Sequence, residues 1–404
     1  MQNFWEKQDW ELEDRHLVSV QRMPFRRSYP KISLDTGLYV IRGPRQVGKS
    51  SWLKTLLFQV CQNPELGPHQ AYYLSCEPIE NHAQLTELLK TLSERKYIFL
   101  DEVTFVSEWW RSVKGVLDSR LDVTIVLTGS SAIDLRQGAD TMPGRWGHGG
   151  EYLLMPMGVS EWLEMVEQAG WKSRSEIQAD RVALLEAFFH IGGFPPALKE
   201  AGPKLTSPVN AIEDYWKWLR GDCLKQQKQE VYLREVLGRL SLSLSSQLSL
   251  QSIASQTQMG SHHTAMGYIQ LLEDLFAIKT LYAIDPSTGA FRFKKQKKFY
   301  FTDPLLFHLA IEVSGQRRPD SWIGAMAEQV AHEELRRRLG AHSRMGYFDS
   351  PQGEIDFYMR EKWYLEVKWS DGVKNLSKAF LRQNSNQRVV WTKENFCSDF
   401  SFLV

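Results

Sequence analysis

The chain has 404 residues, of which 43% are hydrophobic and 24% are charged, and its formal net charge is +1. This length predicts two or three domains, and the composition is that of a globular protein in water. The near-neutral charge excludes a polycation that binds nucleic acid over its whole surface, and no apolar run reaches the roughly 18 residues of a membrane span.

The N-terminal stretch and the cysteines indicate the compartment in which we expect the protein to work. The N-terminal stretch MQNFWEKQDWELEDRH is charged and lacks the apolar core of a secretion signal. The cysteines are scattered and show no metal-ligand spacing. We therefore expect a reduced, cytoplasmic setting and no membrane partner.

Short apolar runs alternate with helical patterns between residues 37 and 157. The runs GLYVIRG, AYYLSCE, YIFLDEV, TIVLTGS and EYLLMPM predict strands, whereas SSWLKTLLFQVC and NHAQLTELLKTL have apolar residues at helical spacing. Strands that alternate with helices predict a parallel sheet with helices on both faces. Residues 1–158 are therefore the first predicted domain, of the α/β class.

A phosphate-binding motif lies between the first predicted strand and the first helix. GPRQVGKS satisfies G-x-x-x-x-G-K-[ST], a pattern whose glycines let backbone amides surround an anion at a helix N-terminus. Lys49 is expected to reach the β- and γ-phosphates, and the Ser50 hydroxyl to ligate Mg²⁺. The predicted ATP site consists of Gly43, Pro44, Arg45, Gln46, Val47, Gly48, Lys49, Ser50 and Ser51.

Two later strands complete the predicted site. Asp101 ends the apolar strand YIFLDEV, at the sheet edge where parallel sheets bind ligands, and is expected to hold the Mg²⁺ shell. The adjacent Glu102 is expected to act as general base or to orient the attacking water. Ser130, at the end of TIVLTGSS, is expected to sense the γ-phosphate, with Thr128 as the alternative.

A loop arginine precedes the fifth predicted strand. Arg145 lies in MPGRWGHGG and could stabilise developing phosphoryl charge, in its own subunit or in a neighbouring one. The alternative is an ion pair with a surface carboxylate. The sequence leaves both interpretations open.

The next part of the chain is predicted to be a helical segment, residues 159–246, with a break at GGFPPA. Residues 247–318 then show two short helical patterns and two strands joined by DPSTG, the layout of a winged helix. His262 and His263 begin the second helix, where DNA readers place base-contacting residues. Phosphate contacts are predicted for Lys294, Lys295, Lys297 and Lys298 in RFKKQKKF, although winged helices also serve as packing modules and protein docks.

These motifs together resemble those of AAA-type ATPases, in the archaeal-ATPase-like branch related to signal-transducing NTPase switches. The resemblance rests on GPRQVGKSS, FLDEV, LTGSS, LLMPMGVSEW and GGFPPAL, and it extends from about residue 20 through the winged helix to the C-terminal region. It implies ATP hydrolysis with Mg²⁺, and it leaves the oligomeric state and a protein partner open, because such ATPases often form rings whereas the switch-like branch also includes monomers.

The C-terminal region, residues 319–404, has the predicted element order α-β-β-β-α-β. The period-two pattern of EIDFYMREKWYLEVKW predicts a hairpin centred on Glu361, which places Asp356 directly opposite Glu366. Opposed carboxylates repel unless a cation lies between them, and their hard oxygens suit Mg²⁺ or Mn²⁺. Lys368 points to the same face and could stabilise phosphorane-like charge.

This hairpin and the helix before it resemble the core of PD-(D/E)XK nucleases, although Ile355 stands where the family's proline is often found. The resemblance implies that Asp356 and Glu366 ligate a second Mg²⁺ or Mn²⁺, that Lys368 is catalytic and that Glu328 is an auxiliary ligand. The favoured function is a Mg²⁺-ATP-hydrolysing ATPase coupled to a metal-dependent nuclease-like domain that acts on or binds nucleic acid, most plainly DNA. The alternative is a regulatory NTPase switch whose winged-helix and nuclease-like domains only bind DNA or a protein partner.

Overall fold

The computed structural model describes residues 4–6, 14–129, 132–340, 343–369, 375–398 and 400–403. The chain divides into two units, Met1–Pro156 and Met157–Val404. Within the described ranges, no helix combines the length with the apolar character that a membrane crossing requires.

The first unit is built on a parallel sheet of five strands in the order β2-β3-β4-β1-β5. All five predicted strands are present, and this P-loop type of sheet confirms the α/β assignment. The strands are β1 (Gly37–Arg42), β2 (Ala71–Ser75), β3 (Tyr97–Asp101), β4 (Thr124–Thr128) and β5 (Gly150–Leu153). The helices are α1 (Arg15–Gln21), α2 (Lys49–Gln62), α3 (His82–Lys90), α4 (Trp109–Ser119) and α5 (Ala132–Asp140).

Both faces of this sheet are covered by helices. Val40 of β1 belongs to the apolar core that also contains Leu85 of α3. Tyr39 points to the opposite face because side chains alternate along a strand, and it stacks on Tyr152 of β5 at 6.0 Å. Trp52 of α2 meets Tyr152 edge to face on that side. The sheet therefore lies between two helical layers.

The second unit begins with helices α6 (Val159–Gln168), α7 (Arg174–Ala179), α8 (Arg181–Ile191), α9 (Pro195–Ala201), α10 (Val209–Lys225) and α11 (Glu230–Leu242). The predicted break at GGFPPA separates α8 from α9. Gly193 there donates its N–H to Asp303 at 2.7 Å and accepts a hydrogen bond from the N–H of Met157 at 2.8 Å. The backbone of Gly193 therefore links the break to two segments that are distant in the sequence, one through the Met157 backbone and one through the Asp303 carboxylate.

Two helices and an antiparallel strand pair follow, in the order that the sequence predicts. They are α12 (Leu250–Ser255), α13 (His262–Asp274), β6 (Ile278–Tyr282) and β7 (Lys297–Phe301). The strand predicted over FRFKKQKKFYF is shorter than expected, because only its last five residues pair with β6. The helix α14 (Pro304–Ser314) leads into the C-terminal elements.

The C-terminal elements confirm the predicted α-β-β-β-α-β order. They are α15 (Trp322–Leu339), β8 (Gly346–Ser350), β9 (Gly353–Met359), β10 (Trp363–Lys368), α16 (Lys378–Leu381) and β11 (Arg388–Thr392). The sheet order is β11-β10-β9-β8, with β11 parallel to β10. In the hairpin Met359 pairs with Trp363 and Phe357 with Leu365, which is the predicted register centred on Glu361.

Candidate nucleotide site and C-terminal carboxylate cluster

The loop that follows β1 requires glycine at two positions. Gly43 has φ 149°, and a Cβ there would lie 1.9 Å from the carbonyl oxygen of Leu154. Gly48 has φ 102° and caps the N-terminus of α2. Both conformations are accessible to glycine and strained for other residues. The backbone amides of the loop thereby reach the helix N-terminus, which is a favourable place for an anion.

Lys49 is folded onto its own loop. Its Nζ donates to the carbonyl oxygens of Gly43 at 3.1 Å and Pro44 at 2.8 Å. The side chain is only 5% exposed, and burial lowers the pKa of Lys49 to about 8. Phosphate oxygens near Nζ would raise this pKa again, because they would stabilise the charged form of the lysine.

Asp101 is held from neighbouring strands at the carboxyl edge of the sheet. Its Oδ1 accepts hydrogen bonds from the Ser50 hydroxyl at 2.9 Å and from the Thr128 hydroxyl at 2.6 Å. Its Oδ2 accepts from the Tyr73 hydroxyl at 2.8 Å. The predicted Mg²⁺ residues Ser50 and Asp101 are therefore in direct contact, and their hydroxyl and carboxylate oxygens fit a hard cation.

Glu102 follows β3 in a left-handed conformation with φ 55°. Its backbone N–H donates to the Thr128 hydroxyl at 3.1 Å. Its charge raises the pKa of Lys49, against the lowering by burial, which places the carboxylate near the loop lysine. Thr128, the alternative to Ser130, thus positions both acidic residues. Ser130 itself lies outside the described residues.

Arg145 lies near the amino ends of the strands, whereas the phosphate-binding loop follows the carboxyl end of β1. Its guanidinium forms a bidentate pair with Asp118, with Nε 2.6 Å and Nη2 3.1 Å from the carboxylate oxygens. The next residue, Trp146, accepts a hydrogen bond from the N–H of Leu38 at the start of β1. The phosphate-binding loop follows the carboxyl end of β1. At ~3.3 Å per residue, it lies roughly 16 Å from the start of that strand, where Trp146 is bound. The expected role within its own subunit is therefore wrong, whereas a role in a neighbouring subunit stays a prediction.

The sequence analysis missed contacts that the N-terminal segment makes with α2 and its loop. Nε2 of His16 lies 2.9 Å from the Ser51 hydroxyl, and Arg27 donates to the carbonyl oxygen of Val47 at 2.8 Å. Asp14 forms an ion pair with Lys54 at 2.7 Å. Charged residues before β1 gave no periodic or spacing signal, so only the tertiary structure reveals them.

Two cavities flank the N-terminal end of α2. One, of about 480 Å³, is lined by His16, Ser50, Tyr73, Asp101 and Glu102 among others. The other, of about 460 Å³, is lined by Ser51, Trp52 and Thr55 on α2 and by residues from 17 to 31.

The C-terminal residues predicted to form a metal site are close together but already engaged. The carboxylate of Glu366 accepts from the Ser377 hydroxyl at 2.6 Å and pairs with Nζ of Lys368 at 3.0 Å. Oδ2 of Asp356 accepts from the N–H of Val367 at 2.9 Å. Although burial lowers it, the pKa of Lys368 is raised overall by the negative charges of Asp356 and Glu366.

A lysine from β7 lies among the other carboxylates of this region. Nζ of Lys298 is 2.8 Å from Oε1 of Glu328 and 3.8 Å from Oδ1 of Asp356, and it also pairs with Glu354. We call Glu328, Glu354 and Asp356 the carboxylate cluster. Tyr300 donates to the same oxygen of Glu328 at 2.6 Å. Burial, together with the charge of Asp356, raises the pKa of Glu328.

The side chains of this region do not fit a second divalent cation as they stand. Asp356 and Glu366, the expected ligands, have ammonium and hydrogen-bonding partners, and Lys298 fills the carboxylate cluster. Across the described ranges, no group of three or more His, Cys, Asp or Glu residues is arranged to hold a metal ion.

The residues predicted to contact DNA fall into two groups. His262, His263, Lys294 and Lys295 are exposed, and Lys297 is partly buried and donates to the carbonyl oxygen of Phe293 at 2.9 Å. Lys298 has no exposed side-chain surface. Its expected contact with DNA phosphates is therefore wrong, because its ammonium points into the carboxylate cluster.

Similarity to known proteins covers both units. Residues 35–163 match a family model described as an AAA domain, and residues 182–317 match one described as a domain of unknown function (DUF8612). A protein of Haemophilus influenzae, described as uncharacterized, is 27% identical over 342 residues, which are 80% of this chain and 79% of that protein.

The solved structures that the chain matches share little sequence with it. A Walker-type ATPase of Pyrococcus abyssi is 15% identical with a TM-score of 0.45, over 75% of this chain and 95% of that chain. The ORC2 protein of Aeropyrum pernix is 12% identical with a TM-score of 0.41, over 69% of this chain and 88% of that chain. A single-residue variant of RuvB of Thermotoga maritima is 14% identical with a TM-score of 0.30, over 61% of this chain and 81% of that chain.

Proposed function

From the AAA-type P-loop domain that residues 35–163 match, we propose that the chain binds and hydrolyses Mg²⁺-ATP. The observation that carries this proposal is the 2.9 Å hydrogen bond from the Ser50 hydroxyl to Asp101. It joins the residue that ends the phosphate-binding motif to the carboxylate at the end of β3. The two side-chain oxygens that would help to hold Mg²⁺ thus lie next to each other.

Each residue has a separate part in this activity. Ser50 and Asp101 hold Mg²⁺, which neutralises charge on the phosphates when bound. Lys49 exchanges the carbonyl oxygens of Gly43 and Pro44 for phosphate oxygens. Glu102 orients the attacking water or accepts its proton.

The nucleoside end of ATP would occupy the second cavity beside α2. Ser51, Trp52 and Thr55 line it, and all three lie within five residues after Ser50 in the first turns of α2. Tyr29 stacks on Trp52 with the rings 7° apart and their centroids 6.0 Å apart, so the aromatic wall of the cavity is fixed. A flat base can contact such a wall through van der Waals and stacking interactions.

ATP binding and phosphate release, measured separately, test this proposal. Lys49→Ala should abolish binding, because the buried ammonium that faces the phosphates is lost. Glu102→Gln should retain binding and lower the hydrolysis rate by about 10²–10⁴-fold, the usual contribution of a general base. Unchanged hydrolysis in Glu102→Gln would remove Glu102 from the chemistry, and unchanged binding in Lys49→Ala would overturn the site.

A second candidate function is an ATP-controlled action on nucleic acid by residues 247–404. It is favoured by the convergence of Asp356, Glu366 and Lys368, with Lys368 3.0 Å from Glu366, and by the exposed His262 and His263 on α13. The action has two forms. One is metal-dependent cleavage of DNA at these residues, which would require a divalent cation to displace their present partners. The other is a regulatory switch in which the same region only binds DNA or a protein partner.

Incubation with linear duplex, plasmid and single-stranded DNA separates the two forms. Wild-type protein and Lys368→Ala are compared in Mg²⁺ or Mn²⁺, with and without ATP. Cleavage by the wild type that is lost in the variant supports the cleaving form. No cleavage by a preparation that hydrolyses ATP supports the binding form.

A further inference from the structure

Lys298 is a buried cation that the sequence pattern assigned to the surface. It lies in β7 between Lys297 and Phe299, and its side chain has no solvent exposure. A lysine is rarely buried to this extent unless it is paired. Its partners are the carboxylate cluster, which comes from α15 and β9.

The cluster surrounds this ammonium with negative charge. Glu328, Glu354 and Asp356 all approach Nζ. Other donors hold the carboxylates in place, since Tyr300 donates to Glu328 and Gln247 donates to Glu354 at 2.7 Å. Burial lowers the pKa of Lys298, but the three carboxylates together raise it well above its usual range. The lysine therefore stays charged.

We propose that the ammonium of Lys298 is the resident cation of the carboxylate cluster and takes the role that a divalent metal ion would otherwise have. The C-terminal part of the chain then works without a divalent cation. This inference rests on the second candidate function and selects its binding form over metal-dependent cleavage.

The position of Lys298 in a buried strand keeps its ammonium within the carboxylate cluster. Lys298 pairs with Leu281 in the β6–β7 ladder, and the residues after it, Phe299, Tyr300 and Phe301, are buried. A Mg²⁺ or Mn²⁺ ion could enter the cluster only by displacing the ammonium. The displaced charge would remain in the protein interior without partners, which is strongly unfavourable.

Mn²⁺ binding to nucleotide-free full-length protein tests the proposal. Ser50→Ala and Asp101→Asn are introduced first, so that the nucleotide site contributes no metal ligands, and free Mn²⁺ is followed by electron paramagnetic resonance. We expect no Mn²⁺ binding that depends on Asp356 while Lys298 is present. Adding Lys298→Met, which removes the charge but keeps a long side chain, should create binding of about one Mn²⁺ per chain. A further Asp356→Asn should abolish it.

Two results would overturn the proposal. One is Mn²⁺ binding with Lys298 intact that is lost on Asp356→Asn. The other is a folded Lys298→Met protein that binds no Mn²⁺, because the ammonium would then replace nothing. If Lys298→Met does not fold, the protein with Lys298 intact decides the question alone. ATP hydrolysis is measured with Ser50 and Asp101 intact, so its failure would count against the ATPase and not against this inference.

Discussion

The phenol of Tyr73 donates a hydrogen bond of 2.8 Å to Oδ2 of Asp101. Tyr73 belongs to β2 and Thr128, which bonds the other carboxylate oxygen, belongs to β4. These two strands lie on either side of β3 in the sheet. The carboxylate is therefore fixed from both sides, with Oδ1 directed at Ser50.

Replacing Tyr73 with Phe should weaken the apparent Mg²⁺ affinity of the ATPase about tenfold. The reason is the loss of a hydrogen bond to a charged group, worth roughly 1.5 kcal/mol. The measurement is the Mg²⁺ dependence of hydrolysis at fixed ATP. Tyr72→Phe is the matched control on the same strand, because its side chain points to the other face of the sheet. Equal effects in the two variants would contradict a role for the Tyr73 hydroxyl.

ATP binding should weaken as the pH rises through about 8. Burial lowers the pKa of Lys49 to about 8 in the free protein, and bound phosphates must raise it because they favour the ammonium. Binding above pH 8 therefore takes up a proton, and affinity falls by up to about tenfold per pH unit. Calorimetry in buffers of different ionisation enthalpy checks this. No proton uptake at pH 9 would show that Lys49 is fully charged before binding.

Arg145→Ala should leave the ATPase activity of the isolated subunit unchanged. Arg145 pairs with Asp118 at the edge of the sheet opposite the phosphate-binding loop, so it cannot act on phosphates bound to its own chain. Steady-state hydrolysis is measured over a range of protein concentrations. A loss that appears only at concentrations where the wild type self-associates would instead assign Arg145 to a neighbour's site.

Lys298→Met without added metal should lower the free energy of unfolding by about 3–5 kcal/mol. This is the usual cost of leaving buried charges without their partner, and here the carboxylate cluster loses its cation. Urea unfolding gives the value, and Lys295→Met is the control from the exposed part of the same basic run. A similar small change in both variants would show that the cluster does not depend on the ammonium.

Gly193→Ala should destabilise the second unit, whereas Gly221→Ala should stabilise it. A Cβ on Gly193 would lie 2.0 Å from the carbonyl oxygen of Met157, so the backbone must move, at about 1–3 kcal/mol. Gly221 lies within α10 with no atom near an added Cβ, and alanine in a helix gains about 0.5–1 kcal/mol. Thermal unfolding of both variants checks the opposite signs.

Local patterns were sufficient to predict the nucleotide motif, the five parallel strands and the C-terminal hairpin. The register that pairs Phe357 with Leu365 follows from period-two alternation around one turn. The order of the strands in a sheet is set by tertiary packing instead. The sequence alone therefore could not place Tyr73 beside Asp101.

The two errors in the predicted site have different physical origins. Lys298 was assigned to the surface with its basic neighbours, and only the packing of α15 and β9 over β7 shows that it is buried. The position of Arg145 could have been predicted from the sequence, because a loop that precedes a parallel strand lies near the amino ends of the strands. The phosphate-binding loop follows a strand and therefore lies at the carboxyl ends.

The ion pairs of Lys298 also affect which fragments of the chain can be stable. The match to the domain of unknown function ends at residue 317, whereas the acidic partners of Lys298 lie at positions 328, 354 and 356. A fragment that ends at the family boundary would expose the apolar surroundings of this lysine and deprive it of every counter-charge. The span recognised by sequence comparison therefore omits every acidic partner of Lys298 named above, and we expect a fragment confined to it to be less stable than the whole chain.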